Sequence, residues 1–271
     1  MVGKTAMSNV ALIIPARYGS SRFPGKPLAQ LGGRSILERV YDKAKEAEKL
    51  CGQPLQICVA TEDARILDFC HSKNIPAVMT SEDCESGSDR VWEAVQSLEE
   101  TPDFVMNLQG DAPFTPAGFV QSLVESFRLA PEADIHTPVT QLSWERLDEL
   151  RQNKGETPFS GTTALFDQET GRAFWFSKNI VPAIRKEELR REQSEMSAVY
   201  RHIGLYGFTY DGLKKFVTLK PSFYEALEGL EQLRALEAGM HICCVKVDYE
   251  DQPEMTGIDT PEDLARAEFL V

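Results

Sequence analysis

Several features that assign a function directly are missing from this sequence. None of its apolar runs reaches the roughly 20 residues that span a membrane. The N-terminal stretch enters a strand-like segment without the separate apolar region and cleavage site of a signal peptide. We therefore expect no association with a membrane and a location in the cytoplasm.

Cysteine and histidine are few and irregularly spaced. The six cysteines, at positions 51, 58, 70, 84, 243 and 244, show no CxxC spacing and no histidine at ligand distance. Cys58 and either Cys243 or Cys244 fall in strand-like runs, so we expect buried thiols there. This pattern argues against a structural zinc or a disulfide scaffold, and it fits a reducing compartment.

Positive charge is also scarce. There are 29 lysines and arginines against 42 aspartates and glutamates, which gives a formal net charge of −13. This balance argues against a nucleic acid partner, because phosphate backbones require a broad basic face. A local cluster of cations on such an acidic protein would instead attract a small anion.

Such a cluster follows the first strand-like run, Val10–Ile14, whose residues are apolar throughout. The loop after Pro15 carries three cations, two serine hydroxyls and two glycines: Arg17, Arg22, Lys26, Ser20, Ser21, Gly19 and Gly25. Open α/β sheets bind ligands at the carboxyl ends of their strands, and free backbone N–H groups beside cations suit a polyphosphate. A solvated basic loop is the alternative interpretation. We call residues 16–26 the basic loop.

The usual phosphate-binding motifs are absent. The basic loop has neither the GxxxxGK[ST] pattern nor a GxGxxG fingerprint. This absence argues against a kinase-type NTPase and against a dinucleotide-binding enzyme.

Strand-like and helix-like runs alternate through the first half, residues 8–133. After the first strand, the pattern predicts the helix Ser35–Ala47 behind a Gly32-Gly33 turn, the strand Leu55–Ala60, the helix Asp63–Lys73, the strand Pro76–Met79, the helix Asp89–Leu98, the strand Phe104–Leu108 and the helix Thr115–Leu129. This alternation predicts a doubly wound α/β fold, with a mostly parallel sheet and helices on both faces.

From about Asp134 the alternation changes, although residues 134–271 still read as part of one domain. The pattern predicts the strand His136–Gln141, the helix Ser143–Asn153, the strand pair Thr162–Asp167 and Ala173–Ser177, the strand Arg201–Thr209, the helix Ser222–Glu237, the strand His241–Val247 and a helix capped by Thr260. The charged segment Arg185–Ser197 is predicted as a solvated helix or a mobile loop.

Two aspartates are candidate metal ligands. Asp111 follows the predicted strand FVMNL, which places it on the same edge of the sheet as the basic loop. A carboxylate beside nucleotide phosphates suits Mg²⁺, which takes one or two carboxylates, waters and phosphate oxygens. The alternative is an ordinary turn aspartate before proline. Asp259, read alone, is a turn residue ahead of the Thr260 cap.

Six segments together carry a family resemblance. They are PARYGSSRFPGKPL (15–28), SGSDR (86–90), QGDAP (109–113), RHIGLYG (201–207), EALEGLEQLR (225–234) and GIDTPEDL (257–264). In this order and over nearly the whole chain, they resemble the sugar nucleotidyltransferases, and most of all the cytidylyltransferases that activate 3-deoxy-manno-octulosonate (KDO). The resemblance implies the nucleotide-diphospho-sugar transferase type of fold, with a nucleotide-binding half (8–133) and a smaller sugar-binding and dimerisation half (134–271).

The resemblance also implies roles for individual residues. The catalytic group would be Arg17, Arg22, Lys26 and Asp111. The nucleotide site would be Ala16, Arg17, Ser20, Lys26, Ser86, Ser88, Arg90 and Gln109. The sugar site would be Gln109, Lys178, His202, Tyr206, Glu228, Glu231 and Gln232. Asp111 and Asp259 would hold Mg²⁺.

Each of these roles has a structural alternative. For Ser88 and Arg90 as nucleotide-binding residues, the alternative is a plain helix start with Ser88 as its N-cap. His202 competes with an ordinary core histidine. Glu228 and Gln232, four residues apart, are predicted to share one helical face, which is more often solvated.

Three positions depart from the family pattern. Ala112 replaces a common glutamate, Thr163 a lysine and Lys178 an arginine. Lysine does not reproduce the bidentate fork of arginine. These departures therefore bear on which sugar is bound and not on the type of reaction.

The expected activity is the reaction of CTP with an acidic 3-deoxy-ulosonic sugar, KDO or a close relative, to give a CMP-sugar and pyrophosphate. The resemblance further implies Mg²⁺ as cofactor, a homodimer, and a role in lipopolysaccharide or capsule biosynthesis. One alternative is an enzyme for another acidic sugar, 8-amino-KDO or a sialic-type acid. Another, of a different class, is a non-catalytic nucleotide-binding regulator.

Overall fold

The computed structural model describes residues 8–20, 22–250, 252–254 and 257–271. Within these ranges, its strands form one large mixed sheet and a two-residue hairpin, β2–β3. The strands are β1 Val10–Pro15, β2 Gln30–Leu31, β3 Arg34–Ser35, β4 Gln56–Thr61, β5 Ala77–Met79, β6 Phe104–Asn107, β7 Ile135–Ser143, β8 Thr163–Phe166, β9 Ala173–Ser177, β10 Met196–His202, β11 Tyr206–Thr209 and β12 Ile242–Lys246.

The helices follow most of the predicted positions. They are α1 Ile36–Cys51, α2 Ala64–Ser72, α3 Gly87–Val95, α4 Ala117–Leu129, α5 Trp144–Glu156, α6 Glu187–Gln193, α7 Tyr210–Phe216, α8 Phe223–Glu228, α9 Gln232–Glu237 and α10 Pro261–Ala267, with short 3-10 helices at Lys26–Leu28 and Glu268–Leu270. Thr260 caps α10 as predicted, since its side chain accepts a hydrogen bond from the Asp263 N–H.

The first half forms the predicted parallel, doubly wound sheet. The strand order is β5-β4-β1-β6, and each neighbouring pair is parallel. Alternate residues of β1 enter different cores: Leu12 packs with residues of α1 and α4, and Ile13 packs with residues of α3. Helices therefore cover both faces of the strand, which explains why it is apolar throughout.

The second half continues the same sheet with mixed strand directions. β11 pairs antiparallel with both β6 and β7, β10 pairs antiparallel with β7 and β8, and β12 pairs parallel with β7. A third, smaller core lies under α5 and contains Leu142, Trp144 and Leu147. The remote half of the chain is thereby joined edge to edge with the parallel strands.

Two predicted elements are interrupted in the structure. The predicted strand Arg201–Thr209 breaks after His202, where the Leu205 N–H donates to the Ile203 carbonyl at 2.7 Å. The predicted helix Ser222–Glu237 is divided into α8 and α9 at Gly229, whose φ of 63° lies in the left-handed region. Both predictions missed these breaks because apolar spacing continues across them.

The remaining predictions on local structure have mixed outcomes. Gly32 and Gly33, both with positive φ, form the turn of the β2–β3 hairpin as predicted. The charged segment Arg185–Ser197 contains α6, whose Glu187 pairs with Arg151 and Arg191. All six cysteines are free thiols, and Cys51 is the one that is not buried. In the described ranges, no helix combines the length and apolarity that a membrane crossing requires.

Candidate active site

The basic loop folds back on itself directly after β1. The Gly25 N–H donates to the Tyr18 carbonyl at 2.9 Å, and the Tyr18 ring lies 3.1 Å from where a β-carbon on Gly25 would stand. With a φ of 72°, this position favours glycine on two counts, conformation and space. The turn places Lys26 at the start of a 3-10 helix, with only 8% of the residue exposed.

Lys26 joins the two candidate metal ligands. Its Nζ atom lies 2.7 Å from Asp111 Oδ2 and 3.3 Å from Asp259 Oδ1. Asp111 follows β6 by a few residues, whereas Asp259 comes from the segment before α10, which is anchored by a hydrogen bond from the Ile258 N–H to the Asp111 carbonyl at 3.0 Å. The structure therefore brings together two carboxylates that are 148 positions apart (259 less 111).

A cavity of about 380 Å³ opens over this group, and we call it the basic-loop cavity. Its lining contains most of the residues predicted to bind the nucleotide, to bind the metal or to act in catalysis: Ala16, Arg17, Ser20, Arg22, Lys26, Ser86, Arg90, Gln109, Asp111 and Asp259. Gly110 closes its floor, because a β-carbon there would lie 2.5 Å from the Pro15 carbonyl oxygen. Glycine is thus required for the close approach of the Gln109–Asp111 turn to the end of β1.

The loop cations reach the cavity from its exposed rim. Arg22 Nη2 lies 3.3 Å from Asp259 Oδ1, and Arg17 donates to the Cys84 carbonyl. Ser20 Oγ accepts a hydrogen bond from the Phe23 N–H at 3.3 Å. Ser21, the other predicted loop hydroxyl, lies outside the described residues.

Helix α3 begins at the opposite side of the same cavity. Its N-cap is Ser86, which forms a capping box with Asp89, so the prediction that Ser88 caps the helix is wrong. Arg90 is 1% exposed and its guanidinium contacts Glu62 (3.2 Å) and Thr80. Its Nε has no hydrogen-bond partner among the described residues.

A second cavity, of about 520 Å³, lies where the β10–β11 break and the α8–α9 break face each other, and we call it the strand-break cavity. Its lining includes the predicted sugar residues Lys178, His202, Tyr206, Glu231 and Gln232. Asp259 lines both cavities. The two predicted half-sites therefore meet at one carboxylate.

The aromatic side of the strand-break cavity is held by buried hydrogen bonds. His202 Nε2 lies 2.7 Å from Thr137 Oγ1, and the Thr137 hydroxyl donates to the Leu205 carbonyl at 2.8 Å, so the imidazole is the donor to Thr137. Burial, reinforced by the nearby Lys178 charge, lowers the pKa of His202 to about 3, so the ring is neutral. Tyr206 donates its hydroxyl proton to Gln232 Oε1 at 3.0 Å.

The polar side of this cavity retains unused hydrogen-bonding atoms. Glu231 Oε2 accepts from Ser88 Oγ at 3.3 Å, while Glu231 Oε1 and Gln232 Nε2 are buried without a partner among the described residues. Burial raises the pKa of Glu231. Because buried polar atoms are normally paired, these two are candidates for contact with a bound polyhydroxy ligand.

Some predicted sugar residues are placed elsewhere. Glu228 accepts hydrogen bonds from Ser177 Oγ (3.0 Å) and from the Lys178 N–H (2.5 Å), and it is not among the described residues that line the strand-break cavity. Because Gly229 interrupts the helix, the predicted shared face of Glu228 and Gln232 does not exist. The Thr163 hydroxyl, buried, donates to the Asn179 carbonyl at 2.7 Å instead of facing the cavity.

Two residues that were not predicted as site residues lie at the site: Arg201 lines a cavity, and Glu62 contacts the lining residue Arg90. Arg201 lines the strand-break cavity with Lys178 and pairs with Glu254 at 3.0 Å. Glu62 accepts from the Tyr18 N–H at 3.2 Å and pairs with Arg90, which links the basic loop to α3. Arg201 stands next to His202 in the RHIGLYG segment, a signal that could have identified it. Nothing in the local sequence marks Glu62.

Comparison with known proteins identifies the family of this chain. The family model described as cytidylyltransferase matches residues 11–242. The chain belongs to the cytidylyltransferase family. This confirms the family resemblance of the motifs.

Three relatives of this family member illustrate the likeness. The 3-deoxy-manno-octulosonate cytidylyltransferase of Maricaulis maris (strain MCS10) is 40% identical, with 97% of each chain covered. The 8-amino-3,8-dideoxy-manno-octulosonate cytidylyltransferase of Shewanella amazonensis (strain ATCC BAA-1098 / SB2B) is also 40% identical, over 96% of this chain and 97% of its own. A solved structure of CMP:2-keto-3-deoxy-manno-octonic acid synthetase, complexed with CTP, is 30% identical, covers 97% of this chain and 98% of its own, and superposes with a TM-score of 0.81. The expected fold class is confirmed.

Proposed function

We propose that this cytidylyltransferase transfers the cytidylyl group of CTP to KDO, giving CMP-KDO and pyrophosphate. One observation carries the proposal: the basic-loop cavity and the strand-break cavity meet at Asp259. A triphosphate in the first cavity and an acidic sugar in the second would present their reacting groups to each other there. The names of the relatives, which pair CTP with KDO, support this assignment.

The reaction needs an in-line exchange at the α-phosphorus. The sugar hydroxyl oxygen forms a new bond to phosphorus, the bond to the bridging oxygen of the β-phosphate breaks, and its electron pair leaves with pyrophosphate. The hydroxyl proton is lost to solvent. Arg17, Arg22 and Lys26 stabilise the growing negative charge, and the cavity walls hold the two substrates in place. No covalent enzyme intermediate is required.

Asp111 and Asp259 fit Mg²⁺ as the cofactor. Both carboxylates face the basic-loop cavity, and both reach the same ammonium group. In the described part of the chain, no three acid, histidine or cysteine side chains form a metal cage. Two carboxylates completed by triphosphate oxygens and water match the way proteins hold Mg²⁺. When bound, the ion neutralises phosphate charge.

The acceptor side includes two cations, Lys178 and Arg201, for a sugar carboxylate. Of the three departures from the family pattern, Lys178 alone belongs to the described cavity lining, since Ala112 and Thr163 are buried away from it. This weakens the case for an altered acceptor. The relative that acts on the 8-amino sugar, at the same 40% identity, keeps 8-amino-KDO as a second candidate.

We also propose the coarser roles that the family suggests. Residues 8–133 supply most of the nucleotide site and 134–271 most of the acceptor site. The protein acts in the cytoplasm in envelope polysaccharide synthesis. A homodimer is supported by the exposed apolar side chains Phe174, Phe223 and Leu227, which are 60%, 69% and 61% exposed.

Pyrophosphate release tests the activity. The purified chain, with CTP and Mg²⁺, is given KDO, 8-amino-KDO or a sialic acid, and the CMP-sugar is identified by mass spectrometry. We expect the highest kcat/KM with KDO. A preference for 8-amino-KDO would favour the second candidate, and CTP binding without any product would favour a regulator.

A further inference from the structure

Lys154 lies in the last turn of α5 and is not one of the described residues that line either cavity. Its ammonium group donates to four backbone carbonyls: Pro158 (3.3 Å), Ser160, Gly161 (3.1 Å) and Lys178 (2.5 Å). Three of these belong to the loop between α5 and β8, and the fourth follows β9. One side chain thus ties together two segments that are distant in sequence.

Both segments form one side of the strand-break cavity. Gly161, Thr162 and Lys178 line it, and we call residues 157–162 together with Lys178 the acceptor wall. Gly161 has a φ of 63°, and a β-carbon there would lie 3.0 Å from Leu150 Cδ1. A side chain at position 161 would therefore press against α5. The position of the loop depends on the ammonium group that fills the space between its carbonyls.

The ammonium group of Lys154 makes its hydrogen bonds to backbone carbonyls of the protein itself. Lysine has three N–H donors and no acceptor, and these donors are shared among the four carbonyls. Burial lowers the pKa of Lys154, and the charges of Lys178 and Arg201 lower it further. Burial and the proximity of two other cations both disfavour the charged form of Lys154, and an exposed lysine would avoid both effects. A partly buried lysine at this position therefore indicates a specific structural role.

We infer that Lys154 is a positioning residue for the acceptor, which holds the acceptor wall at the separation that the acidic sugar requires. This inference rests on the proposed function, since it assigns the strand-break cavity to the sugar. It goes beyond that function by naming a residue that touches neither substrate. Residues 157–162 and Lys178 do not line the basic-loop cavity, so binding of CTP should not depend on Lys154.

The test compares Lys154→Met with the wild type. Methionine keeps the length of the side chain and removes the donors. We expect KM for KDO to rise about tenfold, KM for CTP to stay within about twofold and kcat to change little, because misplacement of a binding wall acts on the substrate it contacts. Hydrogen exchange of the free protein should become faster at the amides of residues 157–162.

Lys246→Met is the matched control, because Lys246 also donates to a loop carbonyl, that of Gln168 (3.1 Å), and neither residue is among the described lining of either cavity. It should leave both KM values unchanged. If Lys154→Met does not fold, Gly161→Ala is used to test the position of the acceptor wall. The β-carbon of the alanine should displace the same wall and give the same selective rise in KM for KDO.

Two results would overturn the inference. One is an unchanged KM for KDO in a folded Lys154→Met or, failing that, in Gly161→Ala. The other is an equal rise in both KM values, which would mark a general structural role. A wild-type protein that is inactive with KDO would refute the proposed function instead, and the exchange rates of the acceptor wall would still show whether Lys154 holds it.

Discussion

The two cavities are built by different rules. The basic-loop cavity is formed where parallel strands end: the basic loop follows β1, and the Gln109–Asp111 turn follows β6. The strand-break cavity is formed where regular structure is interrupted, after His202 and at Gly229. The first construction is a general property of α/β sheets, whereas the second depends on local backbone detail. Substitutions should therefore separate the two cavities in kinetics and in stability.

The largest effect is expected at the carboxylates. Asp111→Asn and Asp259→Asn keep the shape of each side chain but remove the charge that would hold Mg²⁺. Each should lower kcat by at least about a hundredfold, as the loss of charge stabilisation in an active site typically does. Among the described residues, Asp259 is the one that lines both cavities, so Asp259→Asn should also raise KM for both substrates. Asp111→Asn should raise only KM for CTP.

Pyrophosphate release at saturating Mg²⁺ measures these variants. Asp211→Asn is the matched control, since Asp211 is an exposed aspartate in the first turn of α7. Its kinetics should equal those of the wild type. A variant of Asp111 or Asp259 that retained a near-normal kcat would contradict the assignment of the metal and the shared position of Asp259.

The same contrast explains what could be predicted from the sequence. The continuous apolar run of β1 predicts a strand with two covered faces, and the carboxyl-end rule then predicts that the basic loop and Asp111 meet. Lys26 confirms that meeting with its 2.7 Å contact to Asp111. Asp259 was linked to this site by family resemblance alone, because no periodicity in the chain relates two positions so far apart.

The acceptor side was less predictable for physical reasons. Helical spacing from Ser222 to Glu237 is compatible with one helix, and only the left-handed conformation of Gly229 divides it. That division turns Glu228 toward Ser177 and leaves Glu231 and Gln232 at the cavity. A glycine inside a helical pattern signals such a break only weakly, since helices tolerate it at about 1 kcal/mol.

A smaller effect is expected for Lys26→Met. Removal of an ordinary surface lysine changes stability by no more than about 0.5 kcal/mol. The structure instead shows a buried ammonium between Asp111 and Asp259, which are 31% and 47% exposed. Without it the carboxylates repel each other. Because both are partly screened by solvent, the loss of unfolding free energy should be about 1 kcal/mol.

This loss should be measurable by denaturant unfolding and partly reversed by Mg²⁺. In kinetics, the variant should raise KM for CTP about tenfold and leave KM for KDO unchanged, since Lys26 lines only the basic-loop cavity. Lys214→Met, on the exposed side of α7, is the control and should change neither quantity. If Lys26→Met left KM for CTP at the wild-type value, Lys26 would be structural only.

The smallest effect at neutral pH, and the one specific to the strand-break cavity, concerns His202. Its pKa in the folded protein is about 3, against an ordinary value of 6.5, because the ring is buried near Lys178. A depressed folded pKa contributes stability above pH 6.5 that is lost as the pH falls toward 3. Between pH 7.5 and pH 5 the loss from this one group is about 2 kcal/mol, since each pH unit below 6.5 is worth about 1.4 kcal/mol.

His202→Gln should remove that part of the acid sensitivity. The glutamine amide can replace the Nε2 donor to Thr137 Oγ1 and does not titrate. Unfolding free energies at pH 7.5 and pH 5 should therefore differ less in the variant, by about 2 kcal/mol, than in the wild type. His136, whose pKa burial lowers to about 4, remains in both proteins, so some acid loss persists. The exposed His71, changed to Gln, is the control. An acid loss equal to that of the wild type in His202→Gln would mean that His202 becomes protonated without cost, and that the strand-break cavity admits water to the ring.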